Sequence, residues 1–162
     1  MSIVFDLDWR NKKMVSYGCE RTYLFRGKSE YNGEWVFGSL AIIKNWDSYF
    51  IMPQESQGVM TGSIQIDPET ASQYIMGDDM NGDKIFEGDI VLVYDKHGVA
   101  HDGFAVVSDR NTLISKGGGY WRPQDTVQLE VVGNIWDDFD MLDDRTQKWI
   151  DNYYRRHLYK ED

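Results

Sequence analysis

Residues Gln73 to Tyr94 read QYIMGDDMNGDKIFEGDIVLVY, and the interpretation of this stretch decides the fold. Asn81-Gly82 is a residue pair that tolerates φ > 0 at both central positions of a tight turn. Glu87-Gly88-Asp89 then breaks the chain immediately before the apolar, mostly β-branched run Ile90, Val91, Leu92, Val93. Turn, breaker and run together predict β structure. None of the three carries catalytic chemistry.

Downstream of the quoted stretch, strands are expected at Ile85 to Phe86 leading into Asp89 to Tyr94, then at Gly103 to Val107, Thr112 to Ile114 and Val127 to Ile135. Turns fall at Lys96 to Gly98 and Lys116 to Gly119. Short strands at this spacing suggest a small SH3-like barrel over residues 76–140. Upstream, Ile3 to Ser16 reads as a hairpin, and Thr22 to Arg26, Glu34 to Ile43, Trp46 to Met52 and Ser63 to Ile66 as further strands. A second Asn-Gly pair, Asn32-Gly33, marks a turn among them. These make an N-terminal β-sheet module over residues 1–75, with a loop from Pro53 to Gly62. Asp67-Pro68-Glu69-Thr70 places a proline where a first helical turn accepts it, predicting a short turn through Ser72.

Residues 141–162 differ in kind. Trp149, Ile150, Tyr153, Tyr154, His157 and Leu158 recur at helical steps, which predicts an amphipathic C-terminal helix from about Asp143 to Tyr159. Acids Asp143 and Asp144 precede it, and Arg155, Arg156, His157 and Lys160 close it, matching the helix dipole at both ends. The fold class is therefore α+β, mainly β. An apolar stripe of Trp149, Ile150, Tyr153, Tyr154 and Leu158 must be covered, so the helix is expected to pack on a neighbour and form a homo-oligomer.

Composition bounds the function. A chain of 162 residues that is 41% hydrophobic and 14% aromatic can build a sizeable core and is not a disordered polypeptide. A formal net charge of −10 repels nucleic-acid phosphate and anionic lipid, and instead suits a basic partner. Cys19 stands alone, so no intramolecular disulfide forms. The start MSIVFDLDWRNKK places acids inside the apolar stretch and basic residues after it, the reverse of a signal peptide. No run reaches the roughly 18 apolar residues of a membrane-spanning helix. A cytoplasmic location is expected, with no membrane partner.

Three blocks carry a resemblance: FRGKSEYNGEWVFGSL at Phe25 to Leu40, IDPETASQYIMGDDMNGDKIFEGDIV at Ile66 to Val91, and EVVGNIWDDFDML at Glu130 to Leu142. In this order they resemble the YopX family of phage and prophage proteins. The resemblance implies a small intracellular protein of a phage or prophage in a mainly Gram-positive host, with a β-rich N-terminal part and an SH3-like C-terminal part. It implies no established activity. The chain departs from the family texture at Ile75, Met76, Asp78, Met80 and Asp83, where small or basic residues are common, which weakens any phosphate contact by that turn.

The chemical constellations are few. Asp78, Asp79, Asp83, Glu87 and Asp89 flank two glycines, but if Gly82 were the sharp-turn glycine of a calcium loop, positions one and twelve would be Gly77 and Gly88. A solvated turn is the better reading, and no cofactor or metal is expected. His97, His101 and Asp102 sit at a hairpin tip without the spacing of a metal motif. Ser108 and Ser115 occupy no nucleophile elbow, and Gly117-Gly118-Gly119 lacks the residues of a phosphate loop. Lys116, Tyr120, Trp121, Arg122 and Trp136 form the candidate binding surface, a groove where rings stack on proline, bases or a cation, with core packing of the rings as the favoured rival reading. Asp137, Asp138, Asp140, Asp143 and Asp144 form a candidate acidic patch. The functional expectation is a non-enzymatic, self-associating protein that binds a host or phage macromolecule. The rival readings are an acidic decoy for a host DNA-binding or defence protein and, last, a metal-dependent enzyme acting on nucleotides.

Overall fold

The computed structural model describes residues 24–44, 47–53, 62–108, 112–116, 119–123 and 127–158. The chain is mainly β, with two antiparallel sheets of six and five strands and one C-terminal helix. The first sheet holds β1 (Phe25–Lys28), β2 (Trp35–Ile43), β3 (Ser48–Pro53), β4 (Ile64–Ile66), β5 (Ser72–Asp78) and β6 (Lys84–Phe86), in the order β4-β3-β2-β1-β5-β6. The second holds β7 (Asp89–Tyr94), β8 (Ala105–Val107), β9 (Leu113–Ser115), β10 (Gly119–Trp121) and β11 (Gln128–Asn134), in the order β10-β9-β8-β7-β11. Helix α1 spans Asp144–Leu158. The hairpin expected at Ile3 to Ser16, Trp46 and most of the loop from Pro53 lie outside the described residues.

The first sheet curls. Beyond its pairing with β3, β4 meets the chain leaving β1: Ser29 bridges Ile66, Glu30 N–H donates to the Gln65 carbonyl at 3.1 Å, and Asp67 N–H donates to Lys28 at 2.9 Å. Ile51 and Ile66 are wholly buried inside the curl. Asp67 then accepts from Glu69 N–H at 3.0 Å and caps a single 3-10 turn, Pro68–Thr70, in place of the longer turn expected through Ser72. Ser72 instead opens β5.

In the second sheet, β7 is buried on both sides, which is why its sequence is an unbroken apolar run. Val91 and Val93 pack with Ile85, Ala105, Val107, Leu113 and Leu129, while Ile90 faces Val106, Ile114, Leu142 and Ile150. The second face is covered by α1. Asp143 caps that helix, accepting from the Arg145 and Thr146 N–H groups at 3.2 Å and from the Thr146 hydroxyl at 2.6 Å.

Three expectations change. The barrel over 76–140 does not close among the described residues, because β10 and β11 stand at opposite edges of the sheet. Strands β8 to β10 have three residues each, which gives little length for coiling, and α1 hides the apolar face instead. The boundary expected between residues 75 and 76 falls within β5, and the first sheet continues to Phe86. Finally, Asn81 does not adopt a positive φ; Gly82 alone does, at 89°, because Asp79 organises a five-residue loop to Asp83 in place of a two-residue turn.

Candidate functional site

The densest polar constellation lies where the two sheets meet, and Arg26 is its centre. Arg26 sits on β1 between Phe25 and Gly27 and is only 8% exposed. Its Nε donates to Ser72 Oγ at 3.1 Å and its terminal nitrogen reaches Asp89 Oδ1 at 2.5 Å. The guanidinium carbon lies 4.6 Å from the Trp35 ring centroid, 4.7 Å from Phe86 and 5.9 Å from Trp136, so the cation is boxed by rings. The other Asp89 oxygen accepts from Phe86 N–H at 2.7 Å. Burial pushes the Asp89 carboxyl above its ordinary range, outweighing the downward pull of Arg26 and of the Phe86 N–H.

A second, more exposed layer covers the first. Trp35 and Trp136 meet edge to face with centroids 5.4 Å apart. Trp35 Nε1 donates to Asp137 at 3.0 Å, Lys28 Nζ pairs with the same carboxylate, and Asn134 Nδ2 donates to it at 3.1 Å. The Lys28 and Trp35 donors hold the Asp137 carboxyl down at about 2. Trp136 Nε1 donates to the Glu69 carbonyl at 3.0 Å. Beneath the indole lies Gly88, with φ +80° and no room for a Cβ. Its N–H donates to Val107 and its carbonyl accepts from Ile135, joining β8 to the end of β11. Residues from 25–40, 66–91 and 130–142 thus converge on one junction.

A third tie runs through the loop after β5. Asp79 Oδ1 accepts from the N–H groups of Asn81 at 2.7 Å and Asp83 at 3.0 Å, and its Oδ2 accepts from Val131 at 2.9 Å. Burial works to raise this carboxyl, but the backbone donors, Val131 first, bring it below its usual range. Met80 N–H donates to the Leu129 carbonyl at 2.9 Å. Chemically, these groups hold two sheets in one body. Arg26 is shared among Asp89, Ser72 and the Glu87 carbonyl, and Asp89 between Arg26 and the Phe86 N–H.

The structure places the rings of the candidate groove apart where their side chains are described. Tyr120 packs edge to face on Trp149 at 4.7 Å and on Tyr153 at 6.2 Å, beside α1, whereas Trp136 lies at the far edge of the sheet with Trp35. Lys116 pairs with Asp102 at 3.0 Å. Together with His101 these two line a surface cleft of about 240 Å³. Arg122 is exposed just beyond β10, and of Trp121 only the backbone, paired with Leu113, is described. His97 lies exposed at the hairpin tip.

The acidic patch divides. Asp137 belongs to the junction, Asp138 accepts from Asn134 N–H at 3.0 Å, and Asp143 caps α1 with its carboxyl lowered chiefly by the Thr146 hydroxyl. Asp140 and Asp144 are exposed. Asp78 turns to Tyr74 and Lys84. Among the described residues no three His, Cys, Asp or Glu groups converge as a metal site. Part of the stripe on α1 is covered within the chain: Ile150 is 2% and Tyr153 6% exposed, and Trp149 stacks on Tyr153. The side chains of Tyr154, His157 and Leu158, and all of Cys19, lie outside the described residues.

Asp89 carried one signal in the sequence, an acid at the head of an apolar strand, whereas Arg26 stands in a strand, FRGK, that holds a second cation. Which partner each takes, 63 residues away, is not readable from one chain. No described helix is long and apolar enough to cross a membrane. Comparison of the chain with protein-family models, with curated proteins and with solved structures finds no match in any of the three.

Proposed function

We propose that this chain is a non-enzymatic binding protein of phage or prophage type, acting in the cytoplasm of a bacterial host on a host or phage protein and associating with itself. The observation that carries this reading is where the exposed apolar side chains lie. Of the eight large ones among the described residues, Tyr31, Phe37, Ile42 and Ile43 belong to a single hairpin arm, residues 31–43. Phe37 and Ile43, an even number of residues apart in regular pairing, share one face of β2, and Ile42 lies on the other. Exposed apolar side chains that share a face mark interaction surfaces on soluble proteins. On this reading the face of β2 that carries Phe37 and Ile43 is the contact surface, and α1 is a structural element.

The resemblance to the YopX family supports the phage context. The order of the second sheet supports an SH3-like relationship: β7 to β10 form a meander and β11 returns beside β7, the strand order of SH3-like barrels. Net charge −10 disfavours nucleic acid as the partner. The acidic decoy keeps Asp140 and Asp144 as exposed carboxylates, beside the exposed Asp137 and Asp143, which also hold hydrogen bonds of the fold. No arrangement of described residues favours the nucleotide-directed metalloenzyme.

The test is affinity capture of the tagged protein from its host during prophage induction, with nuclease treatment, run beside a Phe37→Ser, Ile43→Ser variant of unchanged thermal midpoint. One protein recovered with the native chain and lost with the variant supports the reading. Equal recovery with both rejects the β2 face, and recovery of the bait alone leaves self-association, which sedimentation of the two forms then decides.

A further inference from the structure

The chain contains two Asn-Gly pairs, Asn32-Gly33 and Asn81-Gly82, and the structure treats them differently. We propose that Asn81 is a site of spontaneous covalent modification through a succinimide, with water as the second reactant, and that Asn32 is protected from the same reaction. The Gly82 backbone nitrogen, deprotonated by solvent base, attacks Asn81 Cγ. A C–N bond forms, the Cγ–Nδ2 bond breaks, and ammonia leaves with a proton from solvent. Water then opens the ring at either carbonyl, yielding aspartate or isoaspartate. The step needs no oxidant or cofactor.

Backbone conformation does not separate the two sites. Both glycines have positive φ, +72° at Gly33 and +89° at Gly82, and neither has an atom within 4 Å of its missing Cβ. All four residues are exposed. What differs is the hold on the carboxamide that must rotate toward the nucleophile. Asn32 Nδ2 donates to Glu34 Oε2 at 2.7 Å and Asn32 Oδ1 accepts from Glu34 N–H at 3.1 Å, so attack requires breaking both. The Asn81 carboxamide makes no hydrogen bond among the described residues. The nucleophiles differ in the same sense: Gly33 N–H donates to Ser29 at 2.8 Å, Gly82 N–H to Asp79 at 3.1 Å.

The consequence is structural because of where Asn81 sits. Its loop is closed by Asp79 and tied to β11 through Val131 and Met80. Isoaspartate inserts a backbone carbon into that closure, and aspartate adds a charge beside Asp78, Asp79 and Asp83.

The experiment is incubation of the full chain at mildly alkaline pH, folded and in denaturant, with peptide mapping by mass spectrometry and isoaspartyl methyltransferase labelling. In denaturant both pairs convert at comparable rates. In the folded chain Asn81 converts several-fold faster than Asn32, Gly82→Ala slows it, and Glu34→Ala speeds conversion at Asn32. Equal or faster conversion of Asn32 in the folded chain, an intact Asn81, or no response of Asn32 to Glu34→Ala overturns the proposal.

Discussion

The Arg26 guanidinium on β1 and the Asp89 carboxylate at the head of β7 lie 2.5 Å apart in a site where Asp89 is 1% exposed, so one ion pair spans the two sheets. Such a pair contributes little against a well-packed apolar alternative, but each half depends on the other for its charge to be tolerated. Ring contacts from Trp35 and Phe86 and the hydrogen bond to Ser72 complete the solvation of Arg26 that water no longer supplies.

Removing one partner should therefore be worse than removing both. Arg26→Ala or Asp89→Ala is expected to lower unfolding free energy by about 3–5 kcal/mol, with Arg26→Met, Asp89→Leu losing less than either. Denaturant titrations of the three variants check this, and a double variant at the sum of the singles would remove the coupling. Arg26→Lys should also destabilise, because an ammonium cannot reach Ser72 and Asp89 together while stacking between two rings.

Gly88 sets a second expectation. Alanine there must hold a positive φ and also displace the Trp136 ring, so Gly88→Ala should destabilise by more than the ~1 kcal/mol typical of a strained turn position alone. Adding Trp136→Ala removes the clash but leaves the φ penalty and opens the junction. The loss should then not recover fully, as thermal unfolding of the single and double variants can read.

Much of the architecture was legible where local signals agreed. Asp89 to Tyr94 was readable end to end because Gly88 precedes an unbroken apolar run, and α1 because its stripe and its capping acid coincide. Strand β5 was hidden because Asp78 was read as part of a solvated turn, whereas it ends the strand in an irregular pairing with β6. Strand β10 was hidden because Gly119 closes a glycine run, although it pairs with Ser115. Tyr120 and Trp136 are close in sequence, but β11 returns beside β7 and carries Trp136 to the opposite edge. Asp79, read as part of a solvated turn, and Asp137, read as part of an acidic run, are acceptors for N–H groups, a role that composition does not distinguish from a charged surface.

Acid should loosen the outer layer of the junction. A carboxyl held at about 2 when folded contributes stability that is present above the unfolded value near 3.9 and is lost as pH falls toward 2. Asp79 and Asp143, also lowered, act in the same sense, whereas Asp89, raised, favours the folded state more at low pH than at high. Asp137 is partly exposed, so solvent screening reduces its share. Thermal midpoints between about pH 2 and 6 should fall with acid in the native chain and fall less steeply in Asp137→Asn. Parallel curves for the two would show that Asp137 is not the source.

Charge reversal across the acidic segment should separate structure from surface. Asp137→Lys places a cation against Lys28 and removes the acceptor for Trp35, and Asp138→Lys removes the acceptor for Asn134 N–H, so both should lower the thermal midpoint. Asp140→Lys with Asp144→Lys alters exposed groups and is expected to stay within about 0.5 kcal/mol of the native chain, less any loss from the helix dipole at Asp144. A partner lost only with the first pair would have been lost through the fold, whereas one lost with the second pair at unchanged midpoint would mark a real electrostatic contact. Circular dichroism melts run beside the binding measurement distinguish the two. If the Asp137 and Asp138 reversals melted like the native chain, the bonds assigned to those carboxylates would not be holding the junction.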